Sequence, residues 1–103
     1  MYNLTAQQHK DILDSLRSQA ANQMSQYRQY DDHEQKYVLG YAKRKRRTGL
    51  GVVMEKGDLI LVEPETTRRE FVDMTGKQRC CIDVWSMRNQ CQTAVDFIDV
   101  AYL

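Results

Sequence analysis

The spacing of apolar residues changes near Gly49, and this change most limits the folds open to the chain. Residues 6–29 contain neither glycine nor proline, and their apolar side chains recur every three or four positions, as on an α-helix. Beyond residue 49, short β-prone runs alternate with turn residues such as Gly57, Pro64 and Gly76. The sequence therefore predicts an α+β protein with a helical region over 1–49 and a small antiparallel β domain over 50–103, packed as one compact unit.

A long first helix is predicted over residues 6–29. Thr5 and Gln8 stand three positions apart, as in a capping box. One apolar stripe follows, made of Ile12, Leu13, Leu16, Ala20, Met24 and Tyr27. Such a helix would be roughly 36 Å long, which is long for a chain of 103 residues. The stripe can pack on the β domain or pair with the same helix of a second copy, and the sequence leaves a homodimer open.

A short basic helix is predicted next, over residues 33–46, and with the first helix it would make a helical hairpin. Asp31 or Asp32 would cap its start, and Gly49 would end it in a left-handed conformation. Gly40 weakens the helical interpretation, because glycine disfavours helix interiors by about 1 kcal/mol. A strand over 37–42 is the alternative.

The β domain is predicted to be a small barrel or curved sheet of four to five strands. The apolar run 59–62 suggests a central strand that Pro64 ends. The segment 56–62 resembles the opening strand of barrels of the Src-homology-3 type, and the segments 84–86 and 93–95 resemble their central hairpin. This resemblance concerns the fold alone and implies no function. The tail 91–103 fits a strand or a helix, and its β-branched residues favour the strand.

A run of five cations stands between two mildly acidic flanks. Residues 43–47 carry a charge of +5, whereas residues 1–42 carry −1 and residues 48–103 carry −3. A polyanion is therefore expected to meet the protein at this run. The predicted phosphate-binding residues are Lys43, Arg44, Lys45, Arg46 and Arg47. Tyr37 and Tyr41 are predicted to stack on bases, and Arg68 and Arg69 to add contacts.

Two further interpretations of the basic run remain open at this point. The run can meet an acidic protein surface, or it can be a solvated cap over acidic residues of the β domain. A second functional hypothesis is a protein-interaction module, an adaptor or inhibitor, that uses the long helix and the barrel surface. Trp85 would then mark a recognition surface, or it would pack beneath the helix.

Catalysis, metal binding and membrane insertion are not expected. The chain contains no phosphate-binding glycine loop and no hydrolase or metalloprotease motif. Its three cysteines, Cys80, Cys81 and Cys91, lack the paired spacing of a zinc site and are interpreted as free thiols. The chain begins without a signal peptide and has no run of apolar residues long enough to span a membrane. We therefore expect a cytoplasmic, non-enzymatic protein that needs no cofactor.

Overall fold

The computed structural model describes residues 3–25 and 33–103, and its single long helix, α1, spans Ala6–Met24. The predicted capping box is confirmed: the Gln8 amide donates to Oγ1 of Thr5 at 3.1 Å, and the Thr5 amide donates to Oε1 of Gln8 at 3.0 Å. The predicted end of the helix at residue 29, Tyr27 of its stripe and the aspartate cap at 31–32 lie outside the described residues. Within the described residues, no helix is both long enough and apolar enough to cross a membrane.

The predicted second helix over 33–46 is wrong, and with it the helical hairpin. A short 3-10 turn, His33–Lys36, leads into strand β1, Val38–Ala42. Gly40 explains why: a Cβ there would lie 2.5 Å from the carbonyl oxygen of Ala101 on the neighbouring strand. Glycine lets the two backbones approach closely, so the strand over 37–42 is the correct alternative. Gly49 lies in a turn between two strands and does not cap a helix.

Seven further strands follow β1. They are β2 (Arg46–Thr48), β3 (Gly51–Met54), β4 (Leu59–Val62), β5 (Arg69–Val72), β6 (Gln78–Ser86), β7 (Cys91–Asp96) and β8 (Val100–Tyr102). Five strands follow one another across an antiparallel sheet in the order β5-β6-β4-β1-β8, and β7 pairs with β6 off this path. The sheet curls into a half-barrel, while β2 and β3 form a separate hairpin. The predicted α+β class with a curved antiparallel sheet is confirmed.

The tail is extended, as its β-branched residues indicated. It forms β7, a 3-10 turn over Phe97–Asp99, and β8, which returns to pair with β1. The predicted central hairpin is present, with Val84 opposite Thr93. The segment 59–62 does not open the sheet, because β1 precedes it and pairs with it. The proposed domain division between residues 49 and 50 stays a prediction.

Two apolar clusters hold the sheet and the helix together. Strand β4 shows how they arise, because its side chains alternate in direction. Ile60 and Val62 belong to a cluster on one face, with strand residues such as Ile82 and Val84. Leu61 belongs to the cluster on the opposite face, whose members are Ala20, Met24, Tyr37, Leu61 and Trp85. Trp85 therefore packs beneath α1, one of the two alternatives that its sequence context left open.

Candidate nucleic-acid interface

The basic segment, residues 43–47, joins β1 to β2 and is held at its start by backbone hydrogen bonds. The Lys43 amide donates to the carbonyl of Asp99 at 2.7 Å, and the Gly57 amide donates to the carbonyl of Ala42 at 2.8 Å. These bonds place the segment between the turn before β4 and the 3-10 turn before β8. The segment is not helical, so its side chains are not spread around a helix axis.

The even-numbered cations of the basic segment contact carboxylates of the protein itself. Nε of Arg44 lies 2.8 Å from Oδ1 of Asp99, and Nε of Arg46 lies 3.3 Å from Oδ2 of the same carboxylate. Arg46 also reaches Asp96 with Nη2, at 3.1 Å. Asp99 is only 1% exposed. A buried carboxylate without a compensating charge is very unfavourable, so we assign Arg44 and Arg46 to holding Asp99 in place.

These ion pairs continue into a chain of alternating charge. Arg79 lies 3.0 Å from Asp96 and 3.5 Å from Asp73. The hydrogen bond and charge of Asp96 raise the pKa of Arg79 above its ordinary value. The hydroxyl of Thr75 and backbone amides hold the pKa of Asp73 below its ordinary value. The chain runs in the order Arg44, Asp99, Arg46, Asp96, Arg79 and Asp73. It is neutral overall, so its arginines add little to a positive surface.

The odd-numbered cations of the basic segment are exposed. Lys43, Lys45 and Arg47 are exposed; Arg44 is exposed as well, but it is paired with the buried Asp99. Lys45 is 3.4 Å from Glu55, but both side chains are close to half exposed, and such surface pairs contribute little. Within the described parts of the chain, no ion pair involves Lys43 or Arg47. We call Arg44 and Arg46 the anchoring cations, and Lys43, Lys45 and Arg47 the outward cations. The backbone bends at residues 43–44 and is a strand only from Arg46, so this division follows from the ion pairs and not from a regular alternation of side chains.

The two tyrosines predicted to stack on bases, Tyr37 and Tyr41, differ in how deeply they are buried. Tyr37 is fully buried; its ring packs against Trp85 at 6.5 Å between centroids, and its hydroxyl donates to Gln92. No face of its ring is available to a base, so its predicted stacking role is withdrawn. Tyr41 is partly buried on β1, and its role stays a prediction.

The two predicted accessory arginines also have carboxylate partners. The guanidinium group of Arg69 makes a bidentate ion pair with the carboxylate of Asp83, at 2.8 and 2.9 Å. This pair raises the pKa of Arg69 and lowers the pKa of Asp83. Arg68 lies 3.6 Å from Glu65, and its guanidinium carbon is 5.7 Å from the ring centre of Phe97. Neither arginine belongs to the outward cations, and their contacts with nucleic acid stay predictions.

A groove of about 400 Å³ adjoins the anchoring arginines. Its charged lining residues are Arg44, Glu70, Lys77, Arg79 and Asp96. Two carboxylates offset most of the charge of its three cations, so the groove carries little net positive charge. Across residues 3–25 and 33–103, no three His, Cys, Asp or Glu side chains are grouped so that they could hold a metal ion. Cys80, Cys81 and Cys91 are free thiols.

The apolar stripe of α1 is used within the chain. Ala20 and Met24 are buried against the sheet, and Leu13 and Leu16 pack beside them. A dimer through the same stripe would have to separate α1 from the sheet, so the predicted helix-mediated dimer gains no support.

Sequence reasoning missed Asp96 and Asp99 as the partners of the arginines. No local pattern in the sequence identifies these two carboxylates, because they lie about fifty positions away from the arginines along the chain. Comparison with protein-family models, with curated proteins and with solved structures finds no match for this chain.

Proposed function

We propose that the protein binds the phosphate backbone of single-stranded nucleic acid through Lys43, Lys45 and Arg47. The observation that supports this proposal is the division of the basic segment. Arg44 and Arg46 are paired with buried or partly buried carboxylates, whereas Lys45 has only a half-exposed partner and, within the described residues, Lys43 and Arg47 take part in no ion pair. The three cations lie within five consecutive residues, so they form one local cluster of positive charge that can contact neighbouring phosphates.

Binding of this kind would depend little on base sequence. Lysine and arginine contacts to phosphate position a nucleic acid without reading its bases. With Tyr37 buried, stacking contributes less than the sequence predicted. We therefore expect similar affinity for single strands of different sequence, and weakening of all of them by salt.

The proposal is tested by polarisation titrations with a labelled single-stranded DNA of mixed sequence. The variant Lys43→Gln/Lys45→Gln/Arg47→Gln is expected to bind about 100-fold more weakly at about 0.1 M salt. The reason is that three phosphate contacts contribute about two units to the logarithm of the association constant at this salt concentration. The control Lys10→Gln/Lys77→Gln/Arg88→Gln removes the same charge from other exposed positions. Equal losses in both variants, or no loss in the first, would refute the proposal.

An acidic protein surface is the competing target for the same cations. Polyglutamate offers carboxylates in place of phosphates, so it separates the two targets when it is added as a competitor. We expect the labelled DNA to stay bound at a charge-matched concentration of polyglutamate. Its complete displacement under these conditions would favour the acidic protein.

A further inference from the structure

Strand β5, Arg69–Val72, is an open edge of the sheet. It pairs with β6 on one side, and no other strand within the described residues pairs with its second side. All four of its residues are exposed. An edge strand presents unpaired N–H and C=O groups, which form a template for another strand.

The hairpin turn after β5 shows which backbone groups are free. The Asp73 amide donates to the carbonyl of Lys77, and the Gly76 amide donates to the carbonyl of Asp73, each at 3.0 Å. In an antiparallel pair, hydrogen-bonded and non-hydrogen-bonded positions alternate. The backbone N–H of Asp73 is directed at the β6 side of the hairpin, so the backbone groups of Phe71, two residues earlier, are also directed at β6. The backbone groups of Glu70 and Val72 are therefore directed away from β6. These two residues form the open edge.

The open edge also carries large apolar side chains. Phe71 is 47% exposed, Val72 is 62% exposed, and Met74 in the turn is fully exposed. Edges that stay unpaired are usually protected by lysines, prolines or a covering element. Exposed apolar side chains beside free backbone groups instead mark a contact surface.

We propose that β5 pairs antiparallel with β5 of a second copy of this chain, around a two-fold axis at Phe71. This register sets Glu70 opposite Val72 of the other copy, so the free backbone groups of both strands meet. It also sets Arg69 opposite Asp73 of the other copy on both sides of the axis. Opposite charges across strands are favourable, although both residues already have partners within the chain.

The neighbouring registers fit less well. An axis at Glu70 would set two glutamates directly opposite each other, which is unfavourable. An axis at Val72 would set Phe71 opposite Asp73. The charges therefore select the axis at Phe71, and the dimer contains one continuous sheet. This inference is independent of the nucleic-acid proposal, because β5 lies outside the basic segment.

Sedimentation equilibrium of the whole chain without nucleic acid tests the interface. The average mass is expected to rise from 12.1 kDa towards twice that value as concentration increases. The variant Val72→Pro removes an outward N–H and leaves the hydrogen bonds to β6 intact, so it is expected to stay monomeric. Phe71→Lys serves as a second variant, because it puts a charge on the edge without touching the core. Leu50→Lys alters an even more exposed apolar residue on another hairpin and is expected to associate normally.

Each outcome of this experiment decides the proposal. A wild-type chain that stays monomeric at millimolar concentration overturns it. Association that is unchanged in both Val72→Pro and Phe71→Lys also overturns it, because another surface would then be responsible. Loss of association in either β5 variant, with Trp85 fluorescence and Leu50→Lys association unchanged, supports it.

Cross-linking tests the register. Phe71 would face its counterpart at a non-hydrogen-bonded position, where the Cα atoms lie about 4.5 Å apart. That distance permits a disulfide. Under mild oxidation, Phe71→Cys is therefore expected to give a covalent dimer faster than Glu70→Cys or the wild-type chain with its own three cysteines. Equal rates in the two variants would overturn the axis at Phe71.

Discussion

Nε of Arg44 lies 2.8 Å from Oδ1 of Asp99, and that carboxylate is almost fully buried. Arg46 approaches the other oxygen of the same group. Within the described residues, neither oxygen accepts a hydrogen bond of good geometry, so the arginines hold Asp99 mainly by charge. Part of the most basic segment of the chain therefore stabilises the fold.

Replacing Asp99 tests this structural role. Asp99→Asn keeps the shape of the side chain but leaves two arginines facing a neutral group. Breaking a buried pair costs about 3–5 kcal/mol, but Arg44 is 63% exposed and Arg46 is 35% exposed, so water compensates in part. We expect a loss of about 2 kcal/mol in the free energy of unfolding and a fall in Tm of roughly 10 °C.

Thermal denaturation followed by circular dichroism measures this change. Glu55→Gln is the control, since it removes a carboxylate from the exposed pair with Lys45 and is expected to cost under about 0.5 kcal/mol. Equal Tm values for the two variants would contradict the assignment of Arg44 and Arg46.

The contact between α1 and the sheet has a polar component at Trp85. Its indole N–H donates to Oε1 of Gln23 at 2.6 Å, and Nε2 of Gln23 donates to the carbonyl of Met87. Gln23→Met leaves both groups without this partner, and we expect a loss of about 1–3 kcal/mol in the free energy of unfolding. Urea denaturation followed by the fluorescence of this single tryptophan measures the loss. Gln19→Met, at an exposed position of the same helix, is expected to change it by less than about 0.5 kcal/mol.

Acid is expected to weaken the contact between β5 and β6. Arg69 holds the pKa of Asp83 below its ordinary value, mainly through their hydrogen bond. A carboxyl group with a lowered folded-state pKa stabilises the protein above its unfolded pKa of about 4, and this contribution is lost as the pH falls through the folded value. The gap in urea midpoint between wild type and Asp83→Asn should therefore be wide at about pH 6 and shrink below about pH 4. A gap that is constant across this range would contradict the lowered pKa.

Substitution by alanine is expected to change the free energy of unfolding differently at Gly40 and at Gly49. A Cβ at Gly40 would lie 2.5 Å from the carbonyl oxygen of Ala101 and 2.9 Å from Cγ1 of Val62, so strands β1 and β8 would have to separate. We expect Gly40→Ala to cost about 1–3 kcal/mol in the free energy of unfolding. Gly49 has nothing within 4 Å of the same position, and Gly49→Ala should be neutral or slightly stabilising. Urea denaturation of both variants makes the comparison, and similar values would contradict the close approach at Gly40.

Local patterns in the sequence predict the parts of the fold that depend on local interactions. The capping box at Thr5, the central strand β4 and the hairpin of β6 and β7 all follow from neighbouring residues. The prediction of a second helix is wrong because Tyr37, Val38 and Tyr41 fit the residue spacing of a helix and that of a strand equally well. Pairing with distant strands decides between the two. Tyr41 lies opposite both Leu59 and Ala101, and no local pattern reveals those partners.

The same limit applies to the candidate site. The sequence shows five adjacent cations, but not that Asp99, more than fifty positions away, lies beneath two of them. Under the helical interpretation, the five side chains would point in several directions. The carboxylates of Asp96 and Asp99 divide them into two anchors and three outward cations, which reduces the predicted interface to Lys43, Lys45 and Arg47.

The dependence of DNA affinity on salt counts these contacts most directly. For single strands, the slope of log K against log salt concentration is about −0.7 for each phosphate contact. Three outward cations predict a slope of about −2 for the wild-type chain. A slope of about −3.5 would mean that all five cations bind phosphate, and a slope near zero would mean that none does. Either result would contradict the division of the basic segment into anchoring and outward cations.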